Sequence, residues 1–591
     1  MTTSTTHTAN DREHSAPRAP APPLLRATAA FLAAAASLGC GTGAARQPAG
    51  APRSGAVASA APAATAAGLE TLSAGGNAVD AAVATALGLA VVHPSAGNLG
   101  GGGLAVVRFG GRVATLDFRE TAPAAATSGM FLGEDGKPVP EKSLVGPLAA
   151  GVPGSPAGLF ELHRRFGRLP WREVVAPAIR LAADGFVVTA RLNRNVREER
   201  DLLLRFPETA AVWCPGGAPP QEGSVLKIPA LAAALRSYAE RGPAALTAGE
   251  GAAAIVRCSS SRGGILTLAD LQSYAPVWRD PILFSAFGWS VASMPLPSSG
   301  GIIVAQTAGI LERLGWARLP IGSADRVHLI AETWRRAYAD RFLLGDPATT
   351  LAGPAELLSP AWLDRRAGEI DATRATRSDA VRHFAGEATH ESHQTTHLSV
   401  IDGDGNAVAL TTTLNGSFGC GLLVPELGIL LNNEMDDFAT APGTPNMYGL
   451  VQGAANAVEA GKRMLSSMSP TVAWRGDDVV ALGSPGGSRI PTATAQVLLA
   501  VIVDGEPIQV AIDRPRVHHQ WLPDELVAED GALPGAVRAE LERRGHVLRR
   551  AERLGEVHAV RRTGAGVLEA AADRRGPGAA GVTPGAPARR P

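Results

Sequence analysis

The strongest constraint on this chain is an abrupt change of character at residue 395. Residues 369–393 are polar, charged and poor in large apolar side chains, which predicts an exposed, mobile segment. Directly after it, Thr395–Asp402 (TTHLSVID) alternates and is rich in β-formers. Gly403-Asp404-Gly405-Asn406 then reads as a turn, and Ala407–Thr413 (AVALTTT) is β-rich again. The pattern is a hairpin with a threonine at its head and an exposed connection in front of it. The Asp402–Asn406 run also invites a calcium-loop reading. An EF-hand, however, needs glycine at its sixth position and glutamate at its twelfth, where Ala407 and Thr413 stand.

A threonine hydroxyl alone is a weak nucleophile. If the bond between Gln394 and Thr395 is cut, the freed α-amine lies beside that hydroxyl and can act as its base. Such an amine has a pKa of about 7.7–8.0, so about a tenth or more of it is neutral near pH 7 and the share grows as pH rises. Threonines at strand ends are common, so this pattern gains weight only from other segments. Gly483-Ser484-Pro485-Gly486-Gly487-Ser488 is a turn whose consecutive glycines can expose backbone N–H groups to an oxyanion. Asn432–Asp437 (NNEMDD) concentrates polar groups able to hold an ammonium. Leu465–Pro470 (LSSMSP) offers hydroxyls suited to a carboxylate. Leu116–Glu120 (LDFRE) ends a strand on an arginine, the side chain best built for bidentate carboxylate binding.

Elsewhere, Ala78–Val92 is apolar on nearly all faces and predicts a buried helix, too short to span a membrane. The run Gly100–Gly103 lacks the context of a phosphate loop and reads as close backbone packing. Leu104–Phe109 and Val113–Phe118 read as strands around Gly110-Gly111, and residues 156–187 and 322–343 have helical spacing with Arg/Glu faces. With 55 basic and 55 acidic residues the net charge is +0, which argues against nucleic acid as a partner. None of Cys40, Cys214, Cys258 and Cys420 forms a CxxC pair; a Cys214–Cys258 disulfide and free thiols are both open. His518-His519 lack acidic or thiol partners at metal spacing and read as structural.

At the N-terminus, Arg12, Arg18 and Arg26 precede an apolar run from Ala27 to Gly39 that closes on Ser37-Leu38-Gly39-Cys40. This resembles a secretory signal with a lipoprotein cleavage box, although Leu38 sits one place nearer the cysteine than usual. The expectation is a signal peptide over 1–40 and export to the periplasm or to a lipid anchor at Cys40 in the bacterial cell envelope. A flexible linker is expected over 41–67 and a disordered Gly/Pro tail over 575–591.

Taken together, GGNAVDAAV (75–83), HPSAGNLGGGG (93–103), DFRE (117–120), LPSSGG (296–301), QTTH (394–397), LNNEMDDF (431–438), LSSMSP (465–470) and GSPGGSR (483–489) resemble gamma-glutamyltransferases in order and spacing, from about Gly68 to Arg574. The resemblance implies an α/β N-terminal-nucleophile hydrolase fold, a four-layer αββα sandwich. It implies autocleavage at Gln394/Thr395 into a large subunit (68–394) and a small subunit (395–574) that stay together as a heterodimer. Thr395 matches the nucleophile, Thr413 the threonine that supports it, and Gly486 and Gly487 the oxyanion-hole pair. Arg119, Ser466 and Ser467 match the groups that hold the substrate α-carboxylate; Asn415, Glu434 and Asp437 match those that hold the α-ammonium. Residues 442–449 resemble a lid loop whose Tyr448 closes over the site by bonding Asn415. Implied substrates are glutathione and related γ-glutamyl compounds, with water, amino acids or dipeptides as acceptors and no cofactor. Two rivals remain: a sibling amidase with another acyl preference, and an envelope lipoprotein that only binds.

Overall fold

The computed structural model describes residues 53–381, 395–441 and 446–584. Thirteen strands make two antiparallel sheets. Before residue 395 come β1 (Gly55–Ser59), β2 (Gly102–Phe109), β3 (Arg112–Phe118), β4 (Val277–Arg279), β5 (Ile282–Ala286) and β6 (Trp289–Ser293). After it come β7 (Thr396–Asp402), β8 (Ala407–Thr413), β9 (Thr471–Arg475), β10 (Asp478–Gly483), β11 (His558–Arg562), β12 (Leu568–Ala572) and β13 (Ala579–Thr583). The seven-stranded sheet runs β13-β1-β7-β8-β2-β3-β4, and the six-stranded sheet runs β12-β11-β10-β9-β6-β5. Each sheet therefore draws strands from both sides of residue 395.

The sheets face each other across a thin layer of small apolar residues, among them Ala56, Ala58, Ala292, Ala407, Ala409 and Ala481. Helices cover the outer faces. On the seven-stranded sheet lie α1 (Pro62–Ser73), α2 (Ala78–Val92), α3 (Ser155–Phe166) and α4 (Trp171–Asp184). On the other lie α5 (Gly300–Arg313) and α6 (Ile490–Ile502). The result is the expected αββα sandwich. Because β7 and β8 are covered on both faces, all of their residues are buried.

The motif at 75–83 is a helix start. Asn77 Oδ1 accepts from the Val79 and Asp80 amides at 2.9 and 3.0 Å, while the Asn77 amide donates to Asp80 Oδ2 at 2.9 Å. This capping box opens α2. The glycine run after it is required by close packing. A Cβ at Gly100 would lie 2.0 Å from the Leu430 carbonyl oxygen, and one at Gly101 would lie 2.2 Å from that of Thr413. Asn98 locks this crossing by donating to Thr412 Oγ1 and to the Thr413 carbonyl at 2.9 and 2.8 Å.

Two expected boundaries are corrected. The linker does not extend to 67: β1 and the first half of α1 lie inside 53–67, with β1 hydrogen-bonded between β7 and β13. Nor does the tail begin at 575, because β13 pairs with β1 over Ala579–Thr583. Small residues misled the reading in both places: Gly and Ala look like linker composition, yet they fit a sheet edge packed beneath helices. A third difference concerns the helix α7 (Ala324–Arg341, between α5 and α6 in sequence). Its Arg/Glu positions do not face solvent. Arg335 and Arg336 both pair with Glu332, at 3.1 and 2.9 Å, in the interior. Cys214 and Cys258 are separate buried thiols. The expectations for Cys40 and Gln394 lie outside the described residues.

Candidate active site

Thr395 stands immediately before β7 and is buried. Thr396 pairs with Thr412 across the hairpin, so continuing the antiparallel register sets Thr395 opposite Thr413. The chain then turns sharply. Asn415 adopts a φ of 69°, a left-handed conformation that asparagine tolerates better than most residues. Its amide donates to Thr413 Oγ1 at 2.7 Å and its Nδ2 to the Asn433 carbonyl at 3.0 Å. Asn432 ties the next loop down, donating from Nδ2 to the carbonyls of Gly100 and Gly151 at 2.8 and 2.9 Å. These amide contacts fix the short 3-10 turn Glu434–Asp437, which delivers two carboxylates beside Thr395.

Arg119, at the end of β3, enters from the opposite wall. Its Nη1 lies 2.5 Å from Glu434 Oε2, and its Nη2 donates to Asp437 Oδ2. The residues matched to opposite poles of a substrate are thus paired with one another. Glu120 Oε2 lies 3.7 Å from Arg119 Nη1, fully buried, and burial pushes its carboxyl up to about 8. Burial also drives Glu434 well above its usual range and raises Asp437, with Arg119 pulling both the other way. Asp437 is steadied by Asn446 Nδ2, which donates to its Oδ1 at 2.9 Å. Arg341, the last residue of α7, completes the wall: its Nε donates to Ser299 Oγ at 3.1 Å, and its Nη1 is buried without a partner among the described residues. Ser467 Oγ is likewise buried and unpartnered there. Ser466 is set by its amide, which donates to the Pro297 carbonyl at 2.7 Å.

Gly486 and Gly487 close the site from the six-stranded sheet. Both have positive φ, 126° and 55°, and neither amide donates within the described residues. Two adjacent unpaired N–H groups beside a hydroxyl are what stabilisation of a tetrahedral oxyanion requires. A Cβ on Gly487 would come 2.4 Å from the Tyr448 ring, so only glycine fits beneath it. Tyr448 in turn donates its hydroxyl to the Asn415 carbonyl at 2.7 Å and roofs the pocket. Residues 442–445 of the expected lid lie outside the described residues.

One pocket is lined by Thr395, Thr413, Arg119, Asn415, Glu434, Asp437, Ser466, Ser467, Tyr448 and Gly487; Gly486 borders the adjoining cleft, which Thr395 also lines. Sequence reading missed Glu120 and Arg341. Glu120 was visible as the last letter of the DFRE motif, whereas Arg341 ends a helix with no local sign of facing a pocket. His518 and His519 lie apart, bonded to Thr492 Oγ1 at 2.8 Å and facing Asp524 at 3.4 Å respectively.

A sequence model of the gamma-glutamyltranspeptidase family matches residues 64–583. This chain belongs to the gamma-glutamyltranspeptidase family. Among its gamma-glutamyltranspeptidase relatives, the glutathione hydrolase proenzyme of Escherichia coli K12 is 43% identical over 528 residues, covering 88% of this chain and 90% of the relative. An acylase ACY 1 proenzyme of Pseudomonas sp. SE83 is 37% identical over 527 residues, covering 88% and 91%. Of solved structures, the cephalosporin acylase of Bacillus halodurans superposes with a TM-score of 0.76 at 27% identity, covering 91% of this chain and 97% of that one. The gamma-glutamyltranspeptidase of Pseudomonas nitroreducens, complexed with L-DON, gives a TM-score of 0.52 at 39% identity over 55% of this chain and 96% of that one.

Proposed function

We propose that this chain is a γ-glutamyl hydrolase and transferase that acts on glutathione and related γ-glutamyl amides after cutting itself between Gln394 and Thr395. The observation that carries the reading is the pocket in which Arg119, Glu434 and Asp437 meet beside Thr395. The freed α-amine of Thr395 takes the proton from its own hydroxyl, and Oγ attacks the γ-carbonyl. The Gly486 and Gly487 amides hold the oxyanion, and Thr413 orients the nucleophile. Collapse expels the amine, which takes up the proton, and leaves a γ-glutamyl ester on Thr395. Water or an acceptor amine then resolves the ester. The α-carboxylate is held by Arg119 with Ser466 and Ser467, and the α-ammonium by Asn415, Glu434 and Asp437. Export to the cell envelope, with a lipid anchor at Cys40, belongs to the same reading and rests on the Arg-flanked apolar run at 27–39.

The acylase relatives raise a second acyl preference, and the charge of the pocket argues against it. Two carboxyl groups, Glu434 and Asp437, line the pocket with the guanidinium groups of Arg119 and Arg341, Glu120 lies buried 3.7 Å from Arg119, and all three carboxyls are shifted upward. A cationic ammonium lets those carboxyls ionise; a glutaryl group brings a further negative charge and no cation. With p-nitroanilides as donors, γ-glutamyl is expected to exceed glutaryl by at least ~100-fold in kcat/KM, the scale on which sites reject analogues that leave buried polar groups unpaired. Equal turnover of the two would remove the assignment.

The same shifts set a pH dependence. A carboxyl whose pKa is raised in the free site loses its proton when an ammonium binds beside it, so binding releases protons and tightens as pH rises. The KM for a γ-glutamyl donor is therefore expected to fall as pH rises from the usual carboxylate range through the raised range in which burial places Glu434 and Asp437. The slope approaches ~tenfold per pH unit if one proton is released. A KM–pH profile, with binding heats compared in two buffers of different ionisation enthalpy, checks the direction and the proton count.

A further inference from the structure

Thr395 and Gly486 also border a second cleft, which Arg119 and Asp437 do not line. Since the first pocket takes the acyl half of a γ-glutamyl amide, this cleft is where the amine half leaves and where an acceptor must arrive. Three guanidinium groups, those of Arg191, Arg194 and Arg553, line it, against the single carboxylate of Glu556. Arg191 is already committed, its Nη2 lying 2.6 Å from both oxygens of Glu556. Arg194 and Arg553 differ: neither side chain has a hydrogen-bond or ion-pair partner among the described residues, Arg194 being exposed and Arg553 half-buried.

Their backbones are nevertheless fixed. Arg194 rides on the helix Ala190–Glu198, which is capped by Thr189 Oγ1. The next residue, Asn195, donates to Ser95 Oγ at 3.0 Å. Arg553 is held by Arg489 Nη1, which donates to its carbonyl at 3.0 Å, in the strand connection just before Gly555 and Glu556. Two unpaired guanidinium groups on anchored backbone, over a nucleophile whose substrate has an amine-bearing half, form a carboxylate trap.

We propose that Arg194 and Arg553 form the acceptor subsite and that they select amino acids and short peptides carrying a free C-terminal carboxylate. The inference rests on the γ-glutamyl reading above. In the transfer step the neutral acceptor amine attacks the ester carbonyl of the γ-glutamyl-Thr395. A C–N bond forms, the C–Oγ bond breaks, and the proton lost by the amine passes through the Thr395 α-amine to Oγ. The carboxylate takes no part in this exchange; it holds the acceptor with its amine toward the ester.

The test uses the processed full-length protein with γ-glutamyl-p-nitroanilide as donor and two acceptors, glycylglycine and glycylglycinamide, compared at equal concentrations of free amine. The readout is the ratio of acceptor kcat/KM values within each protein, so any change in overall rate cancels. The wild type is expected to favour glycylglycine by about tenfold, the scale of one partly exposed charge-assisted pair. The R194Q/R553Q variant is expected to bring the ratio below about threefold, and R194K/R553K, which keeps both charges but loses the guanidinium fork, to give a ratio between that of the wild type and that of R194Q/R553Q. A wild-type ratio near one, or a ratio unmoved in R194Q/R553Q, overturns the subsite. Release of p-nitroaniline without acceptor discrimination overturns the subsite alone. A processed wild type that releases none overturns the γ-glutamyl reading, and the subsite falls with it.

Discussion

Thr395→Ala is expected to remain one uncut chain and to lose at least ~10³ in turnover, because one substitution removes the nucleophile of both processing and catalysis. Wild-type protein on a denaturing gel should give two fragments whose intact masses place the cut between Gln394 and Thr395. The neighbouring residue supplies the control. Strand periodicity of two turns Thr396 away from the side on which Thr395 meets the pocket, and its hydroxyl is buried and unpartnered among the described residues. Thr396→Ala should therefore be cut normally. A Thr395→Ala chain that still yields both fragments would assign cleavage to another agent and leave the strand head without its proposed chemistry.

Asp437→Asn carries the second large effect. The substitution keeps shape and hydrogen-bonding capacity but removes the charge that faces Arg119, in a pocket where both groups are nearly or wholly shielded. Truncating one partner of a desolvated charge pair costs about 2–5 kcal/mol, a factor of ~30 to ~4 × 10³ in kcat/KM at about 1.4 kcal/mol per tenfold. The loss should fall mainly on KM, since the ammonium is held in ground state and transition state alike. Cleavage at 394/395 should persist, because Thr395, Gly486 and Gly487 are untouched. That persistence separates a binding defect from misfolding, and intact mass analysis beside the kinetics reads both. An unchanged KM would show that the ammonium is held elsewhere.

Much of the site was legible because its residues sit in short, ordered phrases: Arg119 at a strand end, Glu434 and Asp437 in one turn, Gly486-Gly487 in another. The hairpin that presents Thr395 was readable from β-rich runs around Gly403–Asn406, and α2 from its unbroken apolar run. The sandwich itself was not legible from periodicity. β7 and β8 are buried on both faces, so alternation carries little information there, and the layer between the sheets is built largely of alanine, which marks neither core nor strand. The same composition hid β1 and β13 inside expected linker and tail. Arg341 and the buried Arg335–Glu332–Arg336 cluster were hidden for the opposite reason, since charge at helical spacing ordinarily means a solvated face.

The sharing of both sheets between the segments before and after residue 395 makes the cut a checkpoint. Neither fragment keeps either of the two main sheets to itself: β1 lies between two strands of the later segment, and β9 joins β6 of the earlier one to β10. On the proposed reading, the groups that react at 394/395 are brought together by assembly of the whole chain, so a misfolded copy is expected to stay an inert precursor. After the cut, the route back is altered as well. Unfolding releases two molecules where there was one, reassembly becomes dependent on concentration, and the finished enzyme is sustained by slow opening rather than by ready refolding.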